Sequence, residues 1–296
     1  MFRDRDSKHI KPKKRLGQNF LANKGIVSKI IKSARLNADD IVLEIGPGPG
    51  ALTFELARTC KKVVAVEKDR ELADLLREKL TQENISNVEI VTADILDFLS
   101  SPSYQLQATS YKLVANIPYY LTSALIRRLL ELPNMPENIF LTIQKEVAQR
   151  ICALDGKESL LSLSVKFYAD PKIHFYISRG SFTPPPKVDS AFIEITPKKS
   201  PPPVAPERFF AVLKSGFSSP RKKLLSNLTH HLPACLEVEL LNIKKTQRTN
   251  KETIKSNLFK IFERLNIPPN TRPEQLSLQQ WIHLAQCLES RSLNIR

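Results

Sequence analysis

The sequence predicts an α/β fold: an open, mostly parallel sheet with helices between its strands, finished by antiparallel pairing and followed by a smaller helical domain. Three observations predict it. Short apolar runs alternate with helically spaced segments as far as residue 154. A glycine-rich turn follows one of the first runs and opens a helix, as in a doubly wound sheet. From residue 161 the apolar runs have short connections, and beyond the Pro-rich stretch Ser200-Pro201-Pro202-Pro203 the pattern becomes helical and basic.

Bulk properties set the frame. A chain of 296 residues suits one domain plus a smaller companion, and 42% apolar content is ample for a core. The net charge of +15 is unevenly spread. Residues 1–15 carry +5, residues 16–197 balance 21 basic against 21 acidic side chains, and residues 198–296 carry +10. A neutral body between basic flanks suits a polyanion, bound through phosphate contacts and counterion release, although charge also serves solubility. Cys60, Cys152, Cys235 and Cys287 are far apart, so they read as free thiols of a reducing compartment. His230-His231 lacks a third ligand, and no metal site is expected. No apolar run has transmembrane length and no signal-type region opens the chain, so a cytoplasmic protein is expected.

Taken in order, residues 1–15 are charged and aperiodic, which predicts a flexible basic arm. Gly17-Gln18-Asn19-Phe20-Leu21 mixes amides with large apolar groups and suits either a wall on a ligand or ordinary packing before the helix at 25–31. Ile41-Val42-Leu43-Glu44-Ile45 is a short buried strand. Gly46-Pro47-Gly48-Pro49-Gly50 follows, where a ligand can approach backbone N–H groups, and residues 51–57 are helical. Val63-Val64-Ala65-Val66 ends in Glu67, an acid placed to accept ribose hydroxyls. Residues 70–80 form a helix with Leu72, Leu75, Leu76 and Leu80 on one stripe, and Val88–Val91 is a strand with Asp94 just past its end.

Lys112-Leu113-Val114-Ala115 is the next strand, and it runs into Asn116-Ile117-Pro118-Tyr119. Pro118 cannot continue a ladder, so the chain turns there and the preceding carbonyl is aimed in one direction. An amide oxygen, a carbonyl and a flat ring then stand together, a set able to hold a planar, amine-bearing base; alone it is equally a strand-to-helix turn. Residues 122–130 read as a helix, 139–143 as a strand and 145–154 as a helix. Residues 161–168, 172–177 and 191–195 read as strands, with the stiff loop Ser181-Phe182-Thr183-Pro184-Pro185-Pro186-Lys187 between two of them. The division expected is an arm at 1–15, a domain built on the sheet at 16–199 and a basic helical second domain at 200–296.

The glycine spacing selects the cofactor class. A dinucleotide fingerprint reads G-x-G-x-x-G, whereas position 51 here is Ala, and no His or Lys constellation supports hydride transfer. Glu44-Ile45-Gly46-Pro47-Gly48-Pro49-Gly50 instead resembles the first motif of S-adenosylmethionine-dependent methyltransferases with a Rossmann-like sheet. In that resemblance Glu67 matches the ribose acid and Asp94 the partner of the adenine amino group.

Together with Gly17-Gln18-Asn19-Phe20-Leu21 and Phe182-Thr183-Pro184-Pro185-Pro186-Lys187-Val188-Asp189-Ser190, the Asn116 tetrad resembles the ribosomal RNA adenine dimethyltransferase family, from about Lys14 to the C-terminus. Segments 217–228 and 272–277 look like signatures of its small-subunit (16S) branch. The resemblance implies a Rossmann-like class I methyltransferase sheet and S-adenosylmethionine as cofactor. It also implies N6,N6-dimethylation of two adjacent adenosines near the 3′ end of the 16S RNA, in an assembling 30S particle, by a monomer. Cofactor contacts then fall on Asn19, Leu21, Gly46, Gly48, Glu67, Asp94 and Asn116, the reacting base on Asn116, Ile117, Pro118, Tyr119 and Phe182, and RNA on Arg221, Lys222 and Lys223. Asn23 and Tyr120 depart from the family pattern, the first where Asp is common and the second where Asn or Gln stands in several relatives. Two other functions stay open at this point: methylation of large-subunit RNA, and a non-catalytic nucleic-acid-binding role in assembly or transcription.

Overall fold

The computed structural model describes residues 12–13, 16–101, 110–241 and 250–288. Apart from Pro12 and Lys13, the arm expected over 1–15 lies outside them. The chain forms two compact units: one runs to Gln149 and includes Ala169–Pro197, and the other comprises Arg150–Tyr168 and the chain from Lys198 onward.

The first unit opens with β1 (Phe20–Leu21) and α1 (Lys24–Ser33). It continues through β2 (Ile41–Ile45), α2 (Thr53–Thr59), β3 (Lys62–Glu67), α3 (Arg70–Gln82), β4 (Val88–Thr92) and α4 (Ile95–Phe98). Next come β5 (Lys112–Asn116), α5 (Thr122–Leu130), β6 (Ile139–Gln144) and α6 (Lys145–Cys152), which runs into the second unit. After α7 (Leu160–Tyr168) of that unit, the first is completed by β7 (Ala169–Ile177), β8 (Phe182–Thr183) and β9 (Ser190–Pro197).

Seven strands form one sheet in the order β4-β3-β2-β5-β6-β9-β7. Pairing is parallel from β4 to β6 and antiparallel at β6-β9 and β9-β7, as the apolar runs predict. The inner strands are nearly continuous Val, Ile, Leu and Ala because helices cover both faces of a parallel sheet. Strand order reverses between β2 and β5, so the chain opens a crevice at their carboxyl ends. Helix α3 shows how local sequence fixes an element. Asp69 caps it by accepting from the Glu71 N–H at 3.2 Å, and Leu72, Ala73, Leu76 and Leu80 bury one stripe.

Residues 161–168, expected as a strand, are helical in α7 and contribute to the second unit. Leu161, Leu163, Val165 and Phe167 alternate like a strand, but the turn before them decides otherwise. Ser159 Oγ accepts from the Ser162 N–H at 3.1 Å and the Leu163 N–H reaches the Ser159 carbonyl at 3.0 Å, a helix start. Phe167 then stacks on Phe209, with centroids 4.0 Å apart. Helices α8 (Pro206–Gly216), α9 (Leu224–His231), α10 (Ala234–Leu241), α11 (Lys251–Arg264) and α12 (Leu278–Cys287) complete that unit around Leu213, Phe262 and Trp281. No helix among the described residues is long and apolar enough to cross a membrane.

Candidate active site

Four strand ends converge on one open cleft. Its walls include Asn19, Gly46, Gly48, Glu67, Asp94, Asn116, Ile117, Pro118 and Tyr119, all expected site residues. They meet because β2, β3, β4 and β5 are parallel neighbours, which puts the residue after each strand on the same edge.

The glycine turn is the floor. Gly46 and Gly48 have φ of +64° and +55°, a region that excludes most side chains. A Cβ on Gly48 would stand 3.0 Å from two carbons of the Phe20 ring, so this turn admits only glycine without rearrangement. The Gly48 N–H points at Glu67 Oε2 (3.1 Å), while the Asp69 N–H donates to Glu67 Oε1 (2.8 Å). Both carboxylate oxygens are thus fixed from the protein side. Burial pushes the Glu67 carboxyl up, and these two backbone N–H groups oppose that shift by favouring the charged form. A buried acid with fixed oxygens beside a bare glycine backbone is what a vicinal diol needs.

Asp94 sits just past β4 and caps α4, its Oδ1 accepting from the Leu96 N–H at 2.9 Å. The Lys68 ammonium, 2.7 Å from Oδ2, holds this carboxyl below the usual carboxylate range. Lys68 also lines the cleft, although the sequence reading assigned it nothing.

Asn116 ends β5. Its Nδ2 donates to the Asn19 carbonyl at 3.0 Å, which turns Oδ1 the opposite way as an acceptor. Ile117 is buried, Pro118 turns the chain, and Tyr119 follows with its hydroxyl 2.7 Å from Ser190 Oγ. Tyr120 stands 64% exposed at the cleft wall. The expected amide, carbonyl and ring are therefore together.

The N-terminal wall is built by contacts no local pattern reveals. Phe20 and Leu21 pair with Thr183 and Phe182 in a two-stranded sheet. Lys13 Nζ lies 2.8 Å from Asp69 Oδ1, and Gln18 Nε2 donates to Asp69 Oδ2 at 3.2 Å. Asp69 thereby ties this wall to Glu67, which its own backbone N–H holds.

Two expected residues stand elsewhere. Phe182 is 3% exposed and packs with Leu21, Val27 and Phe192 in the core. It does not line the cleft, because pairing with β1 turns its ring inward. Leu21 lines a smaller cavity behind the glycine turn, together with Glu44 and Asn116. Glu44 is the surprise there: it is 1% exposed, and its Oε2 has no hydrogen-bond partner among the described residues. Burial pushes its carboxyl up to about 8. Arg221, Lys222 and Lys223 are exposed in the second unit, just before α9, where Asn227 clamps the loop through the Gly216 and Ser219 carbonyls at 2.6 and 2.9 Å. No group of three or more His, Cys, Asp or Glu side chains among the described residues is placed to hold a metal ion.

Comparison with known proteins agrees with this geometry. The profile of the family described as "Ribosomal RNA adenine dimethylase" matches residues 9–266. A "Ribosomal RNA small subunit methyltransferase A" of Dehalococcoides mccartyi is 38% identical over 283 residues, covering 95% of this chain and 89% of that protein. Its namesake in Fusobacterium nucleatum is 37% identical over 287 residues, covering 95% of this chain and 99% of that protein. Among solved structures, a dimethyladenosine transferase from Plasmodium falciparum superposes with a TM-score of 0.74 at 27% identity, covering 90% of this chain and 95% of that one. The 23S rRNA methyltransferase ErmE superposes at 0.68 and 26%, covering 91% and 99%. The sheet, the strand-end cleft and these similarities together place the chain in the ribosomal RNA adenine dimethylase family.

Proposed function

We propose that this protein methylates adenine N6 in ribosomal RNA with S-adenosylmethionine, taking the base to the dimethyl form. Its substrate is the small-subunit RNA, at two adjacent adenosines near the 3′ end, met in an assembling 30S particle in the cytoplasm by a monomeric enzyme. The observation that carries the chemistry is the Asn116 amide at the cleft wall, its Nδ2 held by the Asn19 carbonyl so that Oδ1 is the atom left to accept, with Ile117 next in the same wall. The choice of RNA is supported by the relatives named for the small subunit, at 34–38% identity.

Bound S-adenosylmethionine supplies an electrophilic methyl group on its sulfonium. Glu67 would accept from the ribose hydroxyls and Asp94 from the adenine amine of that cofactor. Gly46 and Gly48 would leave room for it against the backbone and Asn19 would wall its methionine side, with Leu21 supporting that wall from the smaller cavity behind it. Asn116 Oδ1 and the Ile117 carbonyl accept the two N6–H groups of the target base. They draw the nitrogen out of the ring plane and turn its lone pair toward the methyl. Pro118 fixes the chain so that both acceptors point one way. Most of the rate gain is positioning and electrostatics. On transfer the sulfonium would leave as a neutral thioether and the N6 proton, acidic only once the methyl is attached, would pass to solvent, so no strong base is required.

Tyr119 gives the extruded base a stacking face, worth about 1–3 kcal/mol, which offsets much of the flipping cost. Phe182 acts indirectly, as the core support behind Leu21. The second unit binds RNA phosphates through Arg221, Lys222 and Lys223. Incubating small-subunit particles that lack the modification with the protein and methyl-labelled cofactor tests this reading. N6,N6-dimethyladenosine at two adjacent positions of the small-subunit RNA is expected; label confined to large-subunit RNA, or absent, refutes it.

A further inference from the structure

We infer that Ser190 is a positioning residue for methyl transfer: its hydroxyl tethers the Tyr119 ring, and the tether sets how much dimethylated rather than monomethylated base is made. The inference rests on the adenine-N6 reading above.

The tether is short and its anchor is rigid. Tyr119 Oη and Ser190 Oγ are 2.7 Å apart, and Ser190 is fully buried. It opens β9, a strand paired on both sides, with Ser190 opposite Gln144 of β6 and Ile177 of β7. The preceding Asp189 is fixed as well: its carbonyl accepts from the Lys145 N–H and its carboxylate from the Arg179 N–H, both at 3.0 Å. Tyr119 follows β5, so its side chain spans the end of β6 to reach β9. At its other end the Tyr119 carbonyl accepts from the Thr122 hydroxyl at 3.0 Å. The residue is held at backbone and tip.

Stacking on a base needs only a π-face, which phenylalanine also has. A hydroxyl directed at a buried serine adds something different, a fixed ring orientation. Orientation matters most in the second transfer. In the first round N6 carries two hydrogens, and Asn116 and Ile117 can both accept. After one methyl is attached a single N6–H remains, so one acceptor is idle and ring contacts carry more of the alignment. Loosening Tyr119 therefore slows the second step more than the first.

Single-turnover reactions followed by mass analysis of the nucleosides test this in Ser190→Ala, Tyr119→Phe, the double variant and Ser190→Thr. Each single change should slow the second transfer about three- to tenfold more than the first, the factor expected for one hydrogen bond. N6-monomethyladenosine then accumulates. The double variant should match the singles, because both remove one interaction, and Ser190→Thr should restore the wild-type ratio. An unchanged ratio overturns the inference. So does an additive double variant, or a defect in Ser190→Ala that Tyr119→Phe lacks, since Ser190 would then act through the fold. If the wild-type protein makes no N6-methylated adenosine at all, the adenine reading itself falls, and the tether with it.

Discussion

Replacing Glu67 by glutamine isolates what the second-strand acid does. Its two oxygens each meet a backbone donor, Gly48 N–H at 3.1 Å and Asp69 N–H at 2.8 Å. A glutamine amide offers one oxygen and one NH2. Whichever way it turns, an NH2 faces one of those N–H groups, and the side chain rotates away or the glycine turn shifts. A charged acceptor for a ribose hydroxyl is lost as well. Hydrogen bonds to a charged group contribute about 1.5–3 kcal/mol, which converts to a dissociation constant about 10- to 150-fold weaker. Folding stability should change less, because a neutral amide also avoids the cost of burying a carboxylate, the cause of the raised Glu67 carboxyl. Calorimetric titration of S-adenosylmethionine into the RNA-free protein measures the effect, with thermal unfolding as control. Glu67→Asp keeps the charge but is one methylene too short to meet both donors, so it should fall between. Affinity within about twofold of wild type in Glu67→Gln would refute the assignment.

Three further outcomes are expected. Glu44, raised to about 8 by burial, holds its proton in the folded chain at pH values where the unfolded chain has lost it. Its contribution is therefore present below pH 4.5 and lost as pH rises toward 8, with a slope of up to about 1.4 kcal/mol per pH unit. Glu44→Gln should flatten that part of a denaturant-derived stability profile. Gly48→Ala combines a left-handed φ of +55° with a Cβ 3.0 Å from the Phe20 ring. A left-handed alanine costs about 1–2 kcal/mol, and titration should show cofactor affinity reduced about tenfold. Arg221→Glu with Lys222→Glu should weaken RNA binding uniformly across sequences and lower the salt slope by about two, read from filter binding at several salt concentrations.

The sequence carried the sheet well because its signals are local. Val63–Val66 is apolar on both faces and Leu72, Leu75, Leu76 and Leu80 recur at helical spacing, so β3 and α3 were readable. The cleft was readable for the same reason, since Gly46, Glu67, Asp94 and Asn116 each stand at or just past the end of a strand. The helix at 160–168 was missed because Leu161, Leu163, Val165 and Phe167 alternate like a strand, while the deciding cap lies outside that run at Ser159. Long-range contacts left no local trace. Lys13 meets Asp69 across 56 residues and Tyr119 meets Ser190 across 71. Phe182 was misplaced in the same way, because only its pairing with Leu21 turns it into the core. Glu44 was legible as part of the glycine motif, but nothing local marked its orphan oxygen.

Asn116→Ala tests the central claim most directly. The change removes Oδ1 and the bond to the Asn19 carbonyl while leaving the Ile117 carbonyl and Tyr119 in place. Single-turnover methyl transfer to small-subunit particles, at saturating cofactor, should fall by about 10²-fold or more, the scale set by removing one preorganised polar group from a reacting centre. Particle binding should stay within about twofold. Transfer at the wild-type rate in this variant would contradict the claim that the Asn116 amide and the Ile117 carbonyl shape the reacting nitrogen.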